Sequence, residues 1–165
     1  RKRYKMAKIA RKLVQDFINC TPSENTASYE VLGTDLEELS VEFSADIEKK
    51  KNILGEESIN LKGYEKEASV EPYIADTDSD LFKFLQDIID NEKVLDDVKT
   101  DVVRVKLYET ATGGAYPATK EEVYIEVVSA GGDTTGYQIP FNIHYTGIKT
   151  EGTFNPTTKA FTAKA

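Results

Sequence analysis

Alternation of apolar and polar residues is the feature that most limits what this chain can fold into. It runs through residues 103–108, 123–127 and 139–145. In the first segment Val103, Val105 and Leu107 share one side, and charged or aromatic residues occupy the other. Successive side chains of a strand point to opposite faces, so a period of two indicates strands with one buried face. We therefore predict three well-defined strands in the second half of the chain.

Weaker strand signals occupy the rest of the chain. They lie at residues 14–18, 29–32, 39–43 and 59–61. A further one at 160–163 follows Asn155-Pro156-Thr157-Thr158, a sequence typical of turns. The last two elements should therefore form an antiparallel hairpin over residues 152–164.

One segment, at about 79–91, has the period of a helix. Its apolar residues recur at helical spacing on one stripe: Leu81, Phe82, Leu85, Ile88 and Ile89. Asp78 or Ser79 can cap its start. Since strands and helices do not alternate along the chain, the predicted class is mainly β with one packed helix.

The charge is unevenly distributed along the 165 residues. Seven of the 21 basic residues lie among the first 12, whereas all 29 acidic residues follow them. An acidic body repels nucleic acid, which disfavours a sequence-reading DNA-binding protein. We predict a basic arm at residues 1–8 and one domain at 9–165. Met6-Ala7-Lys8-Ile9 resembles a natural start of translation, so residues 1–5 are expected to be an added segment.

No set of residues indicates catalysis, a cofactor or a metal. Cys20 and His144 have no local motif that would make them a dyad. The run 76–80 resembles the start of a calcium loop, but Leu81 stands where that loop needs Gly, so helix capping explains it better. Gly131-Gly132 lacks phosphate-loop spacing and predicts a turn. The chain has neither a membrane-length apolar run nor a signal peptide, which predicts a cytoplasmic origin.

Four segments, taken in order, resemble a known family. They are residues 48–56 (Glu-Lys-Lys-Lys-Asn-Ile-Leu-Gly-Glu), 69–73 (Ser-Val-Glu-Pro-Tyr), 80–82 (Asp-Leu-Phe) and the ending 152–161. Their order and spacing are similar to those of the tail tube proteins of long-tailed bacteriophages that infect Gram-positive bacteria. The resemblance covers about residues 6–164.

The resemblance implies an antiparallel β-sandwich or barrel of the tail tube type with a flanking helix. It implies a structural protein of the virion tail and not an enzyme. Before assembly, this protein would be located in the host cytoplasm. Copies would form hexameric rings that stack into a hollow tube, and DNA would pass through without specific binding. Further partners would be a tape measure protein, a tail tip or baseplate, and a terminator, with no membrane involved.

The segment 46–57 resembles the long loop with which such proteins reach a neighbouring subunit or ring. We expect its assembly residues to be Lys49, Lys50, Lys51, Asn52, Ile53 and Leu54. The other interpretation of the segment is a solvated hairpin loop, because runs of charge usually lie on the surface.

Two alternatives to the tail tube remain open. The inner tube of a contractile tail, a phage-derived bacteriocin or a secretion system would share this fold and chemistry. A carbohydrate-binding β-sandwich would use aromatic platforms, which the nine tyrosines permit, although the chain has no Trp.

Overall fold

The computed structural model describes residues 7–165, so most of the predicted basic arm at 1–8 lies outside the described residues. Within the described part, the elements are strands β1 to β10 and helix α1. Their bounds are β1 Val14–Asn19, β2 Tyr29–Val31, β3 Val41–Lys51, β4 Glu57–Val70, α1 Asp80–Asp90, β5 Lys99–Lys106, β6 Tyr116–Val127, β7 Gly131–Asp133, β8 Gly136–Gln138, β9 Phe141–Asn155 and β10 Ala160–Ala163. Short 3-10 helices precede β1 and β5, at Arg11–Leu13 and Leu95–Val98.

One antiparallel sheet forms the body of the protein. Its strand order is β2-β1-β5-β6-β9-β4-β3, and β10 pairs with the second half of β9 as the predicted closing hairpin. Strands β7 and β8 form a separate ribbon. The prediction of a mainly β fold with one helix is confirmed. None of the helices described is long and apolar enough to cross a membrane.

Two apolar cores lie on opposite faces of this sheet. On the first, which we call the inner face, Leu81, Leu85 and Ile88 of α1 pack against the sheet. On the second, Phe17, Val103, Phe154 and their neighbours form a separate cluster. Consequently Val102 and Val103 are both buried. Within the predicted run 103–108 the alternation is confirmed, because Val103 and Val105 are buried whereas Arg104 and Lys106 are only partly buried. Val102, just before that run, is buried in the core of the inner face.

Helix α1 matches its predicted position closely. Ser79 is the N-cap, and its hydroxyl oxygen accepts a hydrogen bond from the Phe82 N–H. The Glu30 carboxylate on β2 accepts hydrogen bonds from the Leu81 N–H at 2.9 Å and from the Ser79 hydroxyl. A carboxylate at this end also suits the helix dipole. Strand β2 therefore fixes the start of the helix.

Two local predictions are wrong. The segment 46–57 was expected to be a loop, but β3 runs to Lys51 and β4 resumes at Glu57, so only residues 52–56 form the turn. Gly131-Gly132 was expected to be a turn, but it lies in β7 and pairs with Tyr137 and Gln138 of β8. In both places cross-strand pairing extends strands through residues that carry little strand signal of their own.

Candidate assembly site: the β3–β4 hairpin

The hairpin of β3 and β4 projects beyond the rest of the sheet. Strand β4 pairs with β9 only through residues 67–70, and in the described structure β3 pairs only with β4. Residues 57–66 of β4 therefore have β3 as their single partner strand. Both long edges of this ribbon leave backbone groups free, and such edges favour pairing with another chain.

The cross-strand register gives the hairpin two different faces. Opposed pairs such as Ile47 with Leu61 place their side chains on one side. The bulge falls where Asp46 pairs with Gly63, so Lys62 is the extra residue and the apolar positions stay aligned. We call this side the apolar face, and it comprises Phe43, Ala45, Ile47, Ile59, Leu61 and Tyr64. The opposite side is polar, with Glu42, Ser44, Glu48, Ser58, Asn60 and Lys62.

The apolar face lies in water in the isolated chain. Ile59 is 66% exposed and Leu61 51%. At the tip, Ile53 and Leu54 are also fully or largely exposed. Half of the large hydrophobic side chains that are exposed in residues 7–165 lie on this one hairpin. Contiguous exposed apolar surface of this kind marks interaction sites in soluble proteins.

The tip of the hairpin is built by Asn52. Its side-chain oxygen accepts hydrogen bonds from the Leu54 and Glu56 N–H groups at 2.9 and 3.0 Å, and its amide donates to the Glu56 carboxylate. Gly55 supplies the positive φ of 81° that closes the turn. The turn thus presents Ile53 and Leu54 outward at a defined position.

The three lysines before the tip fall on different faces. Lys50 lies on the polar face and pairs with Glu48, which also pairs with Lys62. Lys49 and Lys51 alternate onto the apolar side, opposite Ile59 and Glu57. The predicted assembly residues 49–54 are therefore contiguous in sequence but divided between two surfaces and the tip.

A shielded ion pair anchors the root of the hairpin. The Lys66 Nζ lies 2.6 Å from Glu121 on β6, with only 9% and 15% of the two side chains exposed. The same ammonium lies 5.0 Å from the centre of the Tyr145 ring and 5.6 Å from that of Phe43. Cations near aromatic faces are attracted by the ring quadrupole. The root is therefore held to the sheet while the distal part is not.

The other residues singled out in the sequence lie elsewhere. Cys20 is buried, where its thiol contacts the Ile18 carbonyl and Glu30, and burial raises its pKa. His144 lies on the side of the sheet opposite the inner face, which we call the outer face; this side is polar near β4, and the His144 Nε2 lies 2.6 Å from a Glu126 carboxylate oxygen. The two residues are not brought together. In the run 76–80, Asp76 accepts a hydrogen bond from the Asp78 N–H, and Ser79 caps the helix.

Most of the apolar face was missed in the sequence. Phe43 to Ile47 and Ile59 to Leu61 do alternate, but charged residues between them resemble a solvated segment. The two runs form one surface only because β3 and β4 pair in this register.

No family model matches this chain, and no curated protein matches it either.

Proposed function

We propose that this chain is the subunit of a hollow tail tube, in which copies assemble into hexameric rings that stack and let DNA pass through. The observation that carries the proposal is the exposed apolar face of the β3–β4 hairpin. The resemblance of residues 48–56, 69–73, 80–82 and 152–161 to tail tube proteins supplies the particular architecture.

The apolar face is the direct continuation of the inner face of the sheet. At the root of the hairpin, Val41 and Ala68 pair with each other and pack in the core beneath α1. Farther out, the same side carries Ile47, Ile59 and Leu61, which nothing in residues 7–165 covers. A second copy that placed its own sheet or hairpin there would bury this surface. It would also pair the open strand edges.

The charge supports a conduit for DNA. The chain carries a formal net charge of −8 with 29 acidic residues. A surface of this sign repels phosphates and does not retain the DNA that passes it. At the tube ends, the proposal includes the partners that the resemblance implies: a tape measure protein, a tail tip or baseplate, and a terminator.

The proposal is tested by removing the apolar face without touching the core. The variant Ile59→Ser/Leu61→Ser changes two side chains that are 66% and 51% exposed. Burying what remains exposed of both would stabilise an interface by about 1.5 to 3 kcal/mol in total. Since a change of about 1.4 kcal/mol is tenfold in an equilibrium constant, the critical concentration for assembly should rise at least about tenfold. Sedimentation of assembled protein across a dilution series measures it.

The matched control lies on the opposite face of the same strand. Ser58→Ala/Asn60→Ser alters two residues that alternate with Ile59 and Leu61, and it should leave the critical concentration unchanged.

At the tip, Ile53→Ser/Leu54→Ser should impair assembly more than replacing the three lysines with Gln, because exposed ion pairs contribute only about 0 to 1 kcal/mol each. If the Ile59→Ser/Leu61→Ser variant assembles as well as the Ser58→Ala/Asn60→Ser control, the hairpin is not part of the interface.

A further inference from the structure

Three side chains that can bind a metal converge on the polar outer face at the root of the hairpin. Glu67 on β4 pairs directly with His144 on β9, and Glu126 lies on the neighbouring strand β6. One nitrogen or oxygen atom from each of the three lies within 4.8 Å of the others. The His144 Nε2 lies 2.6 Å from a Glu126 carboxylate oxygen. The three adjacent strands therefore bring together one imidazole and two carboxylates.

The backbone that carries these groups is firmly held. The side chains that alternate with them point to the inner face, where Ala68, Ile125 and Ile143 are almost fully buried. All three strands are paired at this level of the sheet. Ligands placed on rigid elements keep their geometry better than ligands on loops.

The carboxylates of the cluster have no lysine or arginine partner within residues 7–165. Among the described residues, no Lys or Arg forms a salt bridge with Glu67 or Glu126. Glu42 pairs with Glu67 across β3 and adds a third carboxylate to the same side. The Asn142 side-chain amide also donates a hydrogen bond to the Glu126 carboxylate, at 3.3 Å.

We propose that Glu67, Glu126 and His144 form a site for a divalent transition-metal cation, for which Zn²⁺ is the suitable probe. Zinc accepts histidine nitrogen and carboxylate oxygen together, and a site with three protein ligands leaves a position for water. Magnesium and calcium prefer oxygen ligands and fit this set poorly. The site is independent of the apolar face, which lies on the other side of the hairpin.

The sequence predicts no metal site because Glu67, Glu126 and His144 lie far apart in the chain and share no spacing motif. The pairing of β4 with β9, and of β9 with β6, is what assembles them.

Isothermal titration of untagged, chelator-treated protein with Zn²⁺ tests the site. We expect one ion per chain, and a loss of affinity of at least about tenfold in each of Glu67→Gln, Glu126→Gln and His144→Ala, since even outer-shell changes cost 10- to 100-fold. The control Glu65→Gln removes the same charge from the same strand, two residues away, and should bind as tightly as the wild type. A large excess of Mg²⁺ should not displace the Zn²⁺.

Circular dichroism of each chelator-treated variant shows whether it is folded before it is titrated. If one variant fails to fold, the other two decide the outcome. Absence of binding to the wild type at micromolar Zn²⁺ would overturn the proposal. So would binding that is unchanged in His144→Ala, since the ion would then lie elsewhere.

Discussion

Among single residues, three tyrosines have a pKa that is raised by their surroundings: Tyr29 is buried, and Tyr73 and Tyr145 are partly buried. Burial is the main cause that raises the pKa of Tyr29, Tyr73 and Tyr145, and it raises the pKa of Tyr73 to about 12. The Tyr73 hydroxyl also lies 3.2 Å from the Ser79 hydroxyl at the start of α1. These phenols are neutral in the folded protein at any pH where the protein would normally work.

We expect stability to fall as the pH rises from about 10 towards 12. Below pH 10 the Tyr73 phenol is neutral in both states, and its contribution to stability is complete. Above pH 10 the unfolded chain loses this proton while the folded chain retains it, so the contribution is lost as the pH rises through the folded pKa of about 12. Urea unfolding at several alkaline pH values measures the slope.

The variant Tyr73→Phe should make that slope shallower. The control is Tyr108→Phe, a change at an exposed tyrosine, which should keep the slope of the wild type. An identical slope in all three proteins would contradict the burial of the Tyr73 hydroxyl.

Among the secondary-structure elements, the β3–β4 hairpin differs from the others because its distal half contributes nothing to the cores. The hydrogen bonds and ion pairs of residues 48–60 stay within the hairpin. None of those residues belongs to either core cluster. The root, in contrast, is fixed by Lys66 and Glu121.

A shortened hairpin should therefore fold as well as the wild type but fail to assemble. Replacing residues 48–60 with Asn-Gly joins Ile47 to its partner Leu61 through a two-residue turn that suits a hairpin. We expect the free energy of unfolding to change by less than about 1 kcal/mol, because the removed residues lie on the surface. Urea unfolding measures this, and sedimentation measures assembly. A loss of several kcal/mol would show that the distal hairpin stabilises the monomer.

How well each element could be predicted from the sequence depends on how local its signal is. Helix α1 is specified by its own stripe and cap, and its predicted bounds of 79–91 agree with Asp80–Asp90. The length of the hairpin is not a local property, because its bulge at Lys62 and its charged residues interrupt the alternation. The burial of β5 on both faces was also hidden, since Arg104 resembles a surface residue. In the structure Arg104 forms paired hydrogen bonds with the buried Asp16 carboxylate.

In the candidate assembly site, too, the residues with a local signal could be predicted and those that depend on strand pairing could not. Ile53 and Leu54 at the tip could be singled out in the sequence because they are apolar residues in a charged segment. Ile47, Ile59 and Leu61 could not, because their common surface exists only once β3 and β4 are in register.

At the scale of the whole molecule, the proposed tube assembly would cover the apolar face with a second copy of the chain. One antiparallel sheet carries an apolar core on each face, yet it extends a two-stranded ribbon whose apolar side no other part of residues 7–165 covers. Symmetric assembly covers such a surface in every copy at once, and rings arise when one patch binds a different patch of the next subunit. The acidic composition then suits a tube through which DNA moves.

Negative-stain electron microscopy of the purified protein over a range of concentrations tests this claim most directly. The account predicts rings with six-fold symmetry at intermediate concentration, and stacks of such rings forming hollow tubes as the concentration rises. The shortened-hairpin variant, imaged under the same conditions, should remain as single particles. Monomers of the wild-type protein at every concentration, including under crowding, would contradict the account.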